Sequence, residues 1–78
     1  MEFVIYSKND CPYCTRIKQI LSMKGYTYKE FVYEKDFDKQ TFYEKFGQNS
    51  TFPQVVYENH NLGGCKDTIE YLKQNNLL

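Results

Sequence analysis

The sequence predicts an α/β domain with the element order βαβαββα, a four-stranded mixed sheet flanked by helices. Short runs of aromatic and β-branched residues alternate with stretches in which apolar residues recur at helical spacing. The first two runs flank a helical stretch at the spacing of a parallel crossover. The last two strands lie only a few residues apart, which is the spacing of a hairpin. Helices on both faces of such a sheet bury every apolar stripe the pattern makes. The chain has 78 residues, enough for one domain and not for two. No Gly/Ser linker and no internal repeat divides it, so residues 1–78 read as a single domain.

Phe3-Val4-Ile5-Tyr6 is a continuous apolar run bounded by Lys8-Asn9-Asp10, and it reads as a buried first strand. Cys11-Pro12 reads as a helix entrance, because proline has no amide hydrogen to lose at the first helical position. Ile17, Ile20, Leu21 and Met23 follow at helical spacing and Gly25 gives a stop, which predicts a helix over 12–24. Tyr26 to Tyr33 is rich in aromatic and β-branched residues and predicts a second strand, with Phe31 and Tyr33 on one side. Glu34-Lys35-Asp36 interrupts it. Asp38 then reads as a helix cap, with Phe37 and Phe42 as a hydrophobic staple around it. Phe42 and Phe46 make one apolar stripe on a helix ending at Gly47.

Gln48-Asn49-Ser50-Thr51 reads as a loop, and Val55-Val56-Tyr57 as a third strand. Asn59 and Asn61 surround a turn that contains His60, and Leu62 leads into Gly63-Gly64. The last helix starts near Cys65 and carries Ile69 and Leu72. The pair Asn75-Asn76 predicts a frayed end.

Composition narrows the class. A domain of this size buries only roughly 60–65% of the surface of its unfolded chain. Eight Tyr and six Phe supply much buried area per residue, which suits a thin core. Ten basic residues balance ten acidic ones and no basic block stands out, so no nucleic-acid-binding face is expected. No apolar run approaches a membrane span, and no membrane association is expected. The first residues lack the basic start and longer apolar segment of a signal peptide. A reducing, cytoplasmic compartment is the expectation, and nothing asks for more than a monomer. Three cysteines, an odd count, argue against a secreted disulfide framework.

Cys11-Pro12-Tyr13-Cys14 is the segment that carries chemistry. Cysteines three apart meet across one helical turn. A sulfur at a helix start faces unpaired amide hydrogens, and these stabilise a thiolate more than a thiol. Cys11, at that start, can attack a disulfide sulfur to form a mixed disulfide. Cys14 can then attack Cys11 and release the second product as a thiol. Lys8 either adds positive field here or stays solvated, and Arg16 either touches substrate or faces water. Two blander readings stand beside this one. The pair can hold zinc, with Cys65 and His60 as the remaining ligands, or be two inert core side chains. Strand, short loop and cysteine at the helix start together favour redox chemistry.

On these residues the chain resembles the glutaredoxin family, of the small dithiol kind, over nearly its whole length. Cys11-Pro12-Tyr13-Cys14 is the form typical of that family. Thr51-Phe52-Pro53 matches a Thr-Val-Pro segment whose proline is cis. Gly63-Gly64-Cys65-Lys66-Asp67 matches a Gly-Gly-Cys-Asp-Asp-like opening of the last helix. The resemblance implies a thioredoxin-like fold and glutathione as reducing co-substrate, with no metal.

It also implies site roles. The backbone of Phe52, held by Thr51 and cis Pro53, pairs with the cysteine part of glutathione. Close approach at Gly64 and the amides of Cys65 and Lys66 hold the γ-glutamyl carboxylate, and Asp67 accepts the ammonium. Lys8 and Gln40 take the glycine carboxylate, and Tyr13 lines the site. Cys65 itself is expected to be a buried, small apolar residue that binds through its backbone. Two departures stand out. Lys66 replaces an acidic residue, and Phe52 replaces a smaller one, so it narrows the groove or stacks on the ligand. The implied activity is reduction of protein disulfides and of glutathione mixed disulfides, which amounts to deglutathionylation. One alternative is a thioredoxin-like electron donor to a dedicated partner such as ribonucleotide reductase. The other is an iron–sulfur cluster carrier, against which Pro12-Tyr13 and Cys14 argue.

Overall fold

A computed structural model describes residues 2–78; Met1, the first residue of the domain read over 1–78, lies outside the described residues. The elements are β1 (Phe3–Ser7), α1 (Pro12–Met23), β2 (Tyr28–Val32), α2 (Lys39–Phe46), β3 (Gln54–Tyr57), β4 (His60–Gly63) and α3 (Cys65–Gln74). They form one four-stranded sheet of order β2-β1-β3-β4. Central β1 pairs parallel with β2, and α1 makes the crossover between them. On its other side β1 pairs antiparallel with β3, and β3 pairs antiparallel with β4. This is the predicted mixed sheet and the predicted element order.

The pleat of β1 sorts the core into two layers. Phe3, Ile5 and Ser7 are buried while Val4 and Tyr6 are only half-buried. Phe3 and Ile5 join Ile17 and Leu21 of α1, Val55 and Tyr57 of β3, and Cys65 and Leu72 of α3 in one cluster. Helix α3 packs against α1, β3 and β4 on this side. Tyr6 points the other way, into rings from α2 and the loops: Phe37 and Phe46 lie 5.3 and 4.9 Å from it. Phe31 and Tyr33 both join this aromatic layer, as their shared side predicted. The predicted staple is present. Asp38 accepts the Thr41 amide at 2.8 Å, and the Phe37 and Phe42 rings stack 5.7 Å apart.

Two expectations fail at chain reversals, for one shared reason. The hairpin turn is Glu58-Asn59, both at positive φ (49° and 66°), so Tyr57 pairs with His60 and His60 opens β4 instead of sitting in the turn. The end of α3 is not frayed. Asn76 takes φ +57°, its amide bonds Lys73 O at 3.2 Å, and the Leu77 amide bonds Leu72 O at 2.7 Å. That is a Schellman cap, in which two otherwise orphaned carbonyls are satisfied. Helix α1 ends in the same way at Gly25 (φ +79°), with Tyr26 bonding Leu21 O at 2.9 Å. Tyr26 therefore belongs to that cap, and β2 begins only at Tyr28. The two caps are tied together, because the Tyr26 hydroxyl donates to Leu77 O at 2.6 Å.

A polar brace sits between β1, β2 and α1. The buried Ser7 hydroxyl donates to Glu30 Oε2 at 2.5 Å, and Lys18 Nζ lies 3.0 Å from the same oxygen. Burial pushes the Glu30 carboxyl up. The hydrogen bonds from Ser7 and Lys18, with the Lys18 and Lys35 charges, outweigh it and hold the group below its ordinary value. A depressed folded pKa means stability that is present above the unfolded pKa and lost as pH falls through the folded one. Glu30→Gln is expected to lower stability at pH 7 by about 0.5–1 kcal/mol, for a partly exposed pair. The gap to the parent should close as pH drops below the carboxylate range. Urea midpoints measured at both pH values check this, and a gap that does not change with pH would refute it.

Candidate functional site

Cys11 is the N-cap of α1, in extended conformation (φ −120°, ψ 99°), and Pro12 follows as the first helical residue. Asp10 at φ +56° turns the chain off β1 into this position. The Cys14 amide donates to Cys11 Sγ at 3.2 Å, so the sulfur takes the place that a Ser or Asp oxygen holds in an ordinary cap. No acidic residue stands in the first turn to oppose the positive end of the helix dipole. Cys11 and Cys14 form a disulfide with Cα atoms 5.2 Å apart. Cys11 is 8% exposed and Cys14 only 1%, so an incoming disulfide reaches Cys11 first. The Cys11 carbonyl is held by the Thr15 amide at 3.1 Å and the Thr15 hydroxyl at 3.3 Å.

Two hollows flank the pair. One is lined by Lys8, Asn9, Asp10, Cys11, Pro12, Cys14, Thr15 and Lys18. The other runs along α3 between Tyr13, Arg16, Cys65, Lys66, Ile69 and neighbouring charged residues. Tyr13, 64% exposed, stands in the second. The structure thus places Lys8 with the cysteines, and Tyr13 with Cys65 and Lys66. Gln40 stands elsewhere, on the exposed first turn of α2 in a hollow with Lys39, Tyr43, Glu44 and Gln48. His60 lines neither of these hollows, and among the described residues no group of three or more His, Cys, Asp or Glu side chains is placed to hold a metal ion, the set Cys11, Cys14, Cys65 and His60 included.

The Phe52–Pro53 peptide bond is cis, as the resemblance implied. Gln54 Nε2 donates to the Thr51 carbonyl at 2.8 Å and steadies the approach to it. The Phe52 ring does not stand free in a groove. It stacks on the buried Phe42 ring at 4.3 Å and 14°, with Tyr33 and Phe37 at 5.8 and 6.1 Å. Lys8 Nζ lies over it, 5.6 Å from the centroid.

At the start of α3 the amides of Cys65, Lys66 and Asp67 precede the first helical bond, Thr68 N to Gly64 O at 2.9 Å. Gly64, the N-cap, offers no side chain to cover them. Asp67 Oδ2 turns back to accept the Gly64 amide at 3.4 Å. The glycine that the backbone itself requires is Gly63, not Gly64. Gly63 has φ +103°, and a Cβ there would lie 2.7 Å from Asp67 Oδ2. At Gly64 a Cβ would meet only Pro53 O at 3.6 Å. Cys65 is buried, which pushes its thiol up, with the Arg16 charge acting in the opposite direction. A protonated, covered thiol is a weak nucleophile.

Sequence reasoning missed Lys18, which lines the cysteine hollow, and the Phe42 support beneath Phe52. Lys18 had a signal: it lies one helical turn beyond Cys14, on the same face. Phe42 had none, because a stripe residue in α2 does not announce what stacks on it.

A cysteine pair closing across the first turn of the helix after β1, on a mixed sheet of this order, does the work of a thiol–disulfide oxidoreductase of thioredoxin-like fold. Comparison with known proteins narrows that class. Residues 3–62 match the glutaredoxin family model. Glutaredoxin 1 of Rickettsia prowazekii is 34% identical over 76 residues, covering 95% of this chain and 80% of the relative. The reduced Escherichia coli glutaredoxin structure superposes with a TM-score of 0.81 at 26% identity, over 97% of this chain and 98% of that one. A buckwheat glutaredoxin–glutathione complex superposes with a TM-score of 0.76 at 27% identity, over 96% of this chain and 71% of that one. The chain belongs to the glutaredoxin family. No helix among the described residues is long and apolar enough to cross a membrane.

Proposed function

We propose that this protein is a glutathione-dependent disulfide reductase, with Cys11 as nucleophile and Cys14 as resolving cysteine. The observation that carries the assignment is the asymmetry of the pair. Cys11 Sγ accepts the Cys14 amide at the N-terminus of α1, at the edge of a hollow, whereas Cys14 is covered. In the forward step the Cys11 thiolate attacks a substrate disulfide; the S–S bond breaks, and the leaving sulfur departs as a thiolate that takes a proton from solvent. With a glutathione mixed disulfide, Cys11 carries the glutathionyl group. A second glutathione thiolate then removes it, giving glutathione disulfide and free Cys11. With a protein disulfide, Cys14 displaces the product and the Cys11–Cys14 disulfide forms, to be reduced by two glutathione molecules.

Glutathione is supported by the family and by the buckwheat relative, which was solved with it. In this reading the cis Pro53 loop and Thr51 present the Phe52 backbone to the cysteine part of glutathione. The open amides at Gly64, Cys65 and Lys66 take the γ-glutamyl carboxylate, while Asp67 takes its ammonium with the oxygen not turned to Gly64. Tyr13 covers one side. Lys8 takes the glycine carboxylate, with Gln40, which lines a different hollow, as the second contact. The protein would act as a single, monomeric domain in a reducing cytoplasm on disulfide-bearing proteins, ribonucleotide reductase among the candidates.

The test is to mix the oxidised protein with glutathione alone and follow loss of the Cys11–Cys14 disulfide. Reduction, with glutathione disulfide formed in step, is the expected result. A disulfide that resists glutathione but yields to a dithiol reductant would replace this reading with the thioredoxin-like donor.

A further inference from the structure

Lys8 leaves β1 directly after Ser7, whose side chain is buried and bonded to Glu30. Its backbone start is therefore fixed, but its side chain is long. Among the described residues it forms no ion pair with a carboxylate; the salt bridge nearby belongs to Lys18 and Glu30. The group its ammonium meets is the Phe52 ring, 5.6 Å from the centroid. A cation over a ring face is attracted by the ring quadrupole.

The ring is backed by aromatic neighbours. Phe42 stacks on one face at 4.3 Å, too close to admit an ammonium, so Lys8 takes the other face. Phe42 is itself 1% exposed and packed by Phe37 at 5.7 Å and Phe46 at 5.1 Å. A column therefore runs from the α2 core through Phe42 and Phe52 to the Lys8 ammonium, and Lys8 lines the hollow that holds Cys11. A smaller branched residue at 52 would have neither the π face nor the stack.

We propose that the Phe52 side chain is a positioning residue, distinct from any role of its backbone: it holds the Lys8 ammonium beside Cys11 and thereby keeps the Cys11 sulfur ionised. This rests on Cys11 being the attacking thiolate. Below its pKa, each unit by which that pKa rises lowers the thiolate fraction about tenfold.

The test titrates the Cys11 thiolate of fully reduced protein by its ultraviolet absorbance, with no glutathione present. Lys8→Gln should raise the titration midpoint. Phe52→Leu should reproduce at least about half of that rise, and Phe52→Tyr, which keeps a π face, should restore the parent value. The double variant Phe52→Leu/Lys8→Gln should titrate like Lys8→Gln alone, because both act through one cation. A Phe52→Leu midpoint equal to the parent's, or a Lys8→Gln midpoint that does not move, overturns the proposal. If the parent itself shows no depressed thiolate, the assignment of Cys11 fails as well, which separates the two failures. Should Phe52→Leu not fold, the parent's NMR spectrum decides. Lys8 ε-methylene protons shifted upfield by the ring support the contact, and protons at the free-lysine position refute it.

Discussion

Cys11→Ser is expected to reduce turnover of a glutathione mixed disulfide by at least about 100-fold, to the rate of uncatalysed exchange, while Cys14→Ser keeps most of it. The difference follows from what each sulfur does. Removing Cys11 takes away the atom that attacks, and Cys14 cannot replace it because it is 1% exposed inside the first turn. A serine hydroxyl at 11 still caps the helix, so the fold survives and the loss is chemical. Removing Cys14 leaves Cys11 on its amide donors, and a second glutathione can complete the cycle without a resolving cysteine. On a protein disulfide, with no glutathione present, the same Cys14→Ser variant should stall as a mixed disulfide with its substrate, since nothing internal displaces the product. Steady-state rates on the two substrates check both halves. Equal loss in both variants on the mixed disulfide would mean that the Cys11–Cys14 disulfide is an obligatory intermediate.

Much of this was legible in the residues, and the reasons are physical. Pro12 at the first helical position, the apolar spacing of Ile17 and Leu21, and Gly25 at a left-handed turn fix α1 from local chemistry alone. The Phe37/Phe42 staple around Asp38 is likewise a local pattern. What failed depended on backbone states that side chains announce weakly. Glu58, Asn59 and Asn76 all adopt positive φ without glycine, so the hairpin turn falls earlier than the asparagines suggest and the helix end is capped where they suggest fraying. In the Gly63-Gly64 pair the sequence cannot say which glycine is strained; the position of the Asp67 carboxylate decides it. The cysteine pair was legible because its chemistry lies within one turn. The direction of the Phe52 ring was not, because it depends on Phe42, ten residues earlier and on another element.

Phe42→Ala is expected to be the most damaging core substitution on the α2 side. Removal of a fully buried phenylalanine costs about 3–5 kcal/mol when the site cannot collapse. Phe42 touches Phe37, Tyr43, Phe46 and Phe52, so the cavity would open between rigid rings that fill space poorly once one is gone. A 78-residue domain has a total stability of roughly 4–12 kcal/mol, so the loss is a large part of the whole. The urea midpoint should fall steeply with little change in slope, since the same surface is still exposed on unfolding. A loss under about 1 kcal/mol would mean that the aromatic layer repacks freely. Phe42→Leu retains most of the volume and should cost less, yet it removes the flat face under Phe52. The two variants therefore separate packing from ring geometry. If stability tracks volume while the Cys11 titration moves in both, α2 supports the fold with its bulk and the active site with its ring.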